Sequence, residues 1–267
     1  MKQPSTLLWL LLLPAITGAD TNLDKGKYLF QLANCYACHT DTPNDGPALA
    51  GGRALETEFG TFYTPNITSD KQTGIGNWND QQFIMAVREG IAPDGSHYYP
   101  SFPYPAYRNI SDNDLLSIKQ YLFSLPPVKQ TNKEHQLNWY VSRLLIGVWK
   151  VLNDFSTYQS PAEHRRGAYL LDTLGHCNEC HTPRNSIGIL QFSEKFKGNK
   201  TLSAPDITSG PEGIADWDTE ELEDLFSDGA LPDGDYVSEH MAEVVEFSTS
   251  KWTKDDRQAA IDYLRDH

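Results

Sequence analysis

The stretch Cys35-Tyr36-Ala37-Cys38-His39 recurs as Cys177-Asn178-Glu179-Cys180-His181, and these two segments hold all four cysteines of the 267-residue chain. No thiol is left for a structural disulfide framework. Working outward, further pairs keep the same order. Lys25-Gly26-Lys27-Tyr28-Leu29 matches Arg166-Gly167-Ala168-Tyr169-Leu170, and Thr64-Pro65-Asn66-Ile67-Thr68 matches Ala204-Pro205-Asp206-Ile207-Thr208. Gly74 to Trp78 matches Gly213 to Trp217, and Pro93-Asp94-Gly95 matches Pro232-Asp233-Gly234 at the same distance from its tryptophan. Such ordered self-similarity marks an internal repeat. It predicts a tandem duplication over residues 20–126 and 160–267.

Each half reads as mainly α. A helix carrying Tyr28, Leu29 and Leu32 precedes the first motif, and one carrying Tyr169, Leu170 and Leu174 precedes the second. Helices after Trp78 and Trp217 are expected to end near Gly90 and Gly229, because glycine favours helix C-termini. Ser111-Asp112-Asn113-Asp114 and Thr253-Lys254-Asp255-Asp256 fit the capping pattern that opens a last helix. Between the halves lies a linker over 127–159. Within it Leu137, Val141, Leu144, Leu145, Val148 and Leu152 fall at helical spacing, which predicts an amphipathic helix over 137–152. Arg143 and Lys150 argue against a membrane span there. The helix is expected to pack on both halves; a docking face or a membrane interface is the alternative.

Residues 1–19 read as a signal peptide, with Lys2 as basic start, Leu7 to Leu13 as apolar run and Thr17-Gly18-Ala19 as cleavage site. Export is expected, in a bacterium to the periplasm, with a retained anchor as the alternative. The formal net charge is −14. That argues against nucleic acid as a partner, since phosphates need a cationic surface.

Two thiols spaced as in CxxCH lie one helical turn apart and can add to the two vinyl groups of one porphyrin. The adjacent His then faces the iron. Two covalently bound haem c groups are therefore expected, held by Cys35, Cys38 and His39 and by Cys177, Cys180 and His181. A Cys₄ zinc site leaves the two histidines unexplained, and a thioredoxin-like motif lacks its βαβ setting. The second axial ligand of the second haem is expected to be Met241, seven residues after Gly234, since a thioether there raises the reduction potential. Seven residues after Gly95 stands Phe102, which ligates nothing. For the first haem His97 is the first choice; Met85, at a position expected to face outward, and an open iron are the alternatives. Pro47 is the expected carbonyl partner of the His39 ring. Trp78, Trp217, Tyr63 and Arg53 are candidates for the propionates.

The stretches Phe59-Gly60-Thr61-Phe62-Tyr63-Thr64-Pro65-Asn66-Ile67-Thr68, Gly74-Ile75-Gly76-Asn77-Trp78, Asp94 to Tyr104, and Arg166 to Asn185 around the second motif carry a resemblance. The chain resembles the diheme and triheme c-type cytochrome subunits of periplasmic alcohol, gluconate and aldehyde dehydrogenases, over nearly its whole mature length. The resemblance implies two tandem class I cytochrome c domains, with His39 and His181 as proximal ligands. In the alcohol dehydrogenase members a Met ligand stands where this chain has Phe102. A third haem domain and C-terminal anchor have no counterpart here, so membrane association is expected to be peripheral at most. The implied function is electron transfer from a dehydrogenase to a downstream cytochrome or oxidase, without enzyme activity of its own. The alternative is a haem enzyme whose weakly ligated first haem acts on peroxide or a small sulfur compound.

Overall fold

The computed structural model describes residues 18–154 and 165–267. Most of the expected signal segment and the residues leading into the second repeat lie outside the described residues. Helix α1 (Gly18–Leu32) runs into α2 (Cys35–His39). The hairpin β1 (Ala54–Thr57) and β2 (Gly60–Tyr63) follows, then α3 (Asp80–Glu89), α4 (Tyr104–Tyr107) and α5 (Asp112–Ser124). After β3 (Gln136–Leu137) and α6 (Arg143–Asp154), the pattern resumes with α7 (Arg165–Ala168), a π-helical turn over Tyr169–Leu174, α8 (Asn178–His181), α9 (Thr219–Ser227), α10 (Glu239–Phe247) and α11 (Lys254–Arg265).

The expected caps form. Ser111 and Thr253 accept from the backbone N–H of Asp114 and Asp256, each at 3.2 Å, and start α5 and α11. Asn79 and Asp218 open α3 and α9 with full capping boxes. Gly90, at φ 58°, stops α3 in the left-handed conformation that glycine adopts without steric cost.

Why glycine recurs at 26 and 167 is visible in how α1 crosses α5 and α7 crosses α11. A Cβ at Gly26 would lie 2.0 Å from the Ser117 carbonyl oxygen, and one at Gly167 would lie 2.3 Å from that of Ala259. The crossing brings Leu29, Leu32, Leu115 and Leu122 into one buried cluster with Leu170, Leu174, Leu222 and Ile261. Residues of both repeats thus share a single core.

The linker departs from expectation. Gln136 and Leu137 pair antiparallel with Thr61 and Gly60, and Asn138 N–H donates to Phe59 O at 3.0 Å. Strand pairing takes the backbone that a helix from 137 would need, so α6 spans Arg143–Asp154 instead of 137–152. Its packing also differs. Ile146 is buried against Phe62 and Tyr99, while Leu144, Leu145, Val148 and Leu152 of the apolar stripe point into solvent, Leu144 at 85 % exposure. Among the described residues no helix is long and apolar enough to cross a membrane.

Candidate haem-binding sites

Each CxxCH motif begins at a reversal of the chain. Asn34 has φ 50° and His176 φ 41°, both left-handed, and each directly precedes the first cysteine. The helix before the motif is broken there and a short new one starts, which costs roughly 1–3 kcal/mol of backbone strain per residue. Cys35, Cys38 and His39 then share α2, while Cys177 caps the short α8 that carries Cys180 and His181. All four cysteines are free thiols, Cys180 exposed and the others half-buried. Burial pushes the Cys35 and Cys177 thiols up to about 12.

The histidines are oriented by backbone. His39 Nδ1–H donates to Pro65 O at 2.9 Å, and His181 Nδ1–H donates to Pro205 O at 2.8 Å. A carbonyl only accepts, so Nδ1 carries the proton and Nε2 keeps its lone pair for a metal. Burial lowers the pKa of both rings, against the opposing pull of these bonds, and so favours the neutral form. The expectation of Pro47 as the partner of His39 is therefore corrected. The Pro47 carbonyl instead takes the Ala50 N–H at 3.2 Å. Pro65 and Pro205 lie within a repeated landmark whose role had no sequence signal, since any residue offers a carbonyl.

Glycine again permits the approach. Gly51 N–H donates to His39 O and Gly198 N–H to His181 O, both at 2.8 Å. Gly51 has φ 73° and Gly198 φ 82°; a Cβ at Gly51 would sit 2.4 Å from the Pro65 carbonyl carbon, and one at Gly198 2.8 Å from that of Pro205. Thr40 and Thr182 accept from the Leu49 and Phe196 N–H groups at 3.0 and 3.1 Å, which completes two matching frames.

At the positions expected to supply the sixth ligand the two halves differ. Met241 is half-buried on α10. Phe102, its counterpart, turns its ring edge-on to Tyr98 and Tyr107, with centroids 6.1 and 5.7 Å away. His97 lies in a turn that bridges back to Ile91, with its ring beside the α6 backbone, Nε2 being 3.7 Å from where a Cβ of Gly147 would stand. Its Nδ1 is buried without a hydrogen-bond partner, and burial, then Lys150, lowers its pKa. Met85 is half-buried between buried Ile84 and Ala86, more enclosed than the outward position expected. The buried Tyr104 hydroxyl also lacks a protein partner. Lys150 Nζ lies 4.5 Å above the Tyr104 ring and donates to the Glu89 and Gly90 carbonyls that end α3, at 2.5 and 3.0 Å. Burial lowers the Lys150 pKa to about 8.

Arg53, a propionate candidate, is engaged elsewhere. Its guanidinium donates to Ala37 O at 2.7 Å and to Glu243 at 2.6 Å. Tyr63 lies under the Lys133 ammonium, 5.3 Å from its ring centroid.

This donor set fits a covalently attached haem. It supplies unbonded thiols one turn apart, a neutral imidazole with one nitrogen tied to backbone, and buried polar atoms, Tyr104 Oη and His97 Nδ1, that no protein group satisfies. A Cys₄ zinc centre needs a cluster that the fold does not assemble: no group of three or more His, Cys, Asp or Glu among the described residues is arranged to hold a metal ion.

Comparison with known proteins agrees. Residues 23–126 match the cytochrome c family model. The chain is 35 % identical over 260 residues to a diheme c-type cytochrome of Cereibacter sphaeroides, covering 93 % of this chain and 86 % of that one. It belongs to the cytochrome c family and carries haem c. It is also 36 % identical to the fructose dehydrogenase cytochrome subunit of Gluconobacter japonicus, covering 91 % of this chain and 52 % of that one. With the cytochrome c subunit of the quinone alcohol dehydrogenase of Gluconobacter oxydans it shares 33 % identity, over 91 % of this chain and 54 % of that subunit. The chain thus spans about half the length of those dehydrogenase subunits. Its work is electron transfer rather than substrate catalysis.

Proposed function

We propose that this chain is a diheme electron carrier built as two tandem class I cytochrome c domains, 20–126 and 160–267, with 127–159 joining them. One haem c is held by Cys35, Cys38 and His39, the other by Cys177, Cys180 and His181. Met241 completes the second site, and His97 is the first choice for the sixth ligand of the first. The observation that carries this reading is the pair of histidine–proline bonds, His39 to Pro65 O at 2.9 Å and His181 to Pro205 O at 2.8 Å, one frame built twice. Bound haem supplies a one-electron centre. The protein orients the ligands, sets the local dielectric and offers docking faces.

The chain works after export, in the periplasm, with a dehydrogenase subunit as electron donor and a cytochrome or terminal oxidase as acceptor. Donor docking is supported by the solvent-facing Leu144, Leu145 and Val148 on α6, whose inner side packs on the loop of the first site. The test is a haem count by alkaline pyridine spectrum on the mature protein and on Cys35→Ser/Cys38→Ser and Cys177→Ser/Cys180→Ser variants. Two haems per chain falling to one in each variant is expected. A wild-type count of one would overturn the diheme reading.

A further inference from the structure

Helix α10 carries Met241 and also packs against the first motif. Glu243 and Phe247, four residues apart and so on one face, lie against that motif. The Phe247 ring is 4.9 Å from that of Tyr36 on α2. Glu243 pairs with Arg53 at 2.6 Å, and the same guanidinium donates to Ala37 O, between Cys35 and Cys38, at 2.7 Å. Arg53 is only 7 % exposed. Its backbone is held as well: N–H to Thr64 Oγ1 at 3.2 Å, and Thr64 N–H to Arg53 O at 3.0 Å. Thr64 directly precedes Pro65, whose carbonyl orients His39. One residue therefore ties together the segment behind His39 through its backbone, and the helix between the first two cysteines and the helix that carries Met241 through its side chain.

Arginine suits this place because its planar fork reaches two acceptors in a fixed geometry, which a lysine ammonium on a flexible stem does not. Removing either partner of a pair this enclosed leaves the other charge unpaired, so α10 must shift or water must enter.

We propose that Arg53 is a positioning residue for the second haem site, holding α10 so that Met241 reaches the iron, and that the sixth-ligand bond of one haem thereby depends on the attachment helix of the other. The proposal rests on the reading of Met241 as a ligand.

The experiment uses the full-length holoprotein and its Arg53→Gln, Glu243→Leu and Arg53→Lys variants, each checked for haem content and helical circular dichroism. Two signals are read: the near-infrared methionine-to-iron band of the ferric protein, and the reduction wave of the second site, assigned as the wave that Met241→Leu displaces. Arg53→Gln and Glu243→Leu are expected to lose most of the band and to move that wave to lower potential, because methionine ligation raises the potential. Arg53→Lys, which keeps the cation but only one of the two bonds, is expected to fall between. The Glu243→Leu variant separates positioning from charge. Loss of an anion alone would move the wave up, whereas loss of the methionine bond moves it down. An intact band with an unmoved or raised wave in Glu243→Leu overturns the proposal and leaves Met241 as a ligand. A wild-type spectrum without the band overturns the Met241 reading, and the proposal with it, before any variant is compared.

Discussion

Tyr28 donates a hydrogen bond to Asp256 across 2.6 Å, and Tyr169 returns the same bond to Asp114 across 2.7 Å. The two tyrosines are counterparts in the repeat, as are the two aspartates. Each aspartate also takes an ion pair from the helix before its own motif, Asp114 from Lys25 at 2.7 Å and Asp256 from Arg166. The seam is self-complementary in the manner of a two-fold interface. It brings the N-terminal end of each last helix to the helix that leads into the other motif.

Replacing Tyr169 with phenylalanine removes one hydrogen bond to a part-buried carboxylate; replacing Tyr28 also removes the bond that its hydroxyl accepts from the Thr253 N–H at 2.9 Å. Both leave the ion pair in place. Bonds to charged groups contribute about 1.5–3 kcal/mol, and the remaining cation keeps the cost near the lower end. Urea denaturation followed by far-ultraviolet circular dichroism should show Tyr169→Phe destabilised by about 1.5 kcal/mol and Tyr28→Phe by at least as much, since it also loses the Thr253 bond. A cost at one position only would break the reciprocity.

The same carboxylates set an acid limit. Burial raises the pKa of Asp256, but the Arg166 and Tyr28 bonds outweigh it and hold the group below its ordinary 3.8. At Asp114 burial is likewise outweighed, by Lys25 and Tyr169. With folded values lowered, their stabilisation is complete above the unfolded value and is lost as pH falls through the folded one. The urea midpoint should therefore drop as pH falls below about 4. Asp114→Asn/Asp256→Asn should flatten that limb while being less stable at neutral pH. An equally steep limb in the double variant would assign it to other carboxylates.

Gly51 and Gly198 each combine positive φ with a backbone neighbour where a Cβ would stand. Gly51→Ala is expected to cost about 1–3 kcal/mol, and to loosen His39 by displacing the Pro65 carbonyl. The readouts are the urea midpoint and the Soret and axial-ligand signals of the first haem; Gly198→Ala should affect the second alone. A neutral Gly51→Ala with an unchanged spectrum would show that the Pro65 approach does not depend on glycine.

Phe102 marks the asymmetry between the sites. Ferrous wild-type protein should bind carbon monoxide faster at the first haem than at the second. His97→Ala should accelerate that binding further if His97 is the ligand. Phe102→Met should suppress it, add a second methionine-to-iron band and raise the potential of the first haem. Two such bands in the wild type would remove His97 from consideration.

Much of this was readable from covalent neighbours. CxxCH, the cap at Ser111, the glycine after α3 and the repeated landmarks are all local patterns, and each acts within a turn or two of where it is written. The expectation of Met241 came from the repeat, which supplied a ruler. The apolar spacing of 137–152 misled, because it reports a helical face without showing whether a strand claims the same backbone. Gln136 and Leu137 bond instead to β2, far back along the chain.

The amino-acid order settles which thiols and imidazoles share a turn, because spacing along a helix is a local matter. Which carbonyl holds each imidazole, which way α6 turns its leucines, and that Arg53 joins one motif to the helix of Met241 are set by packing. Backbone carbonyls leave no residue-type signature, and a contact between distant segments exists only once a shared core has brought them together.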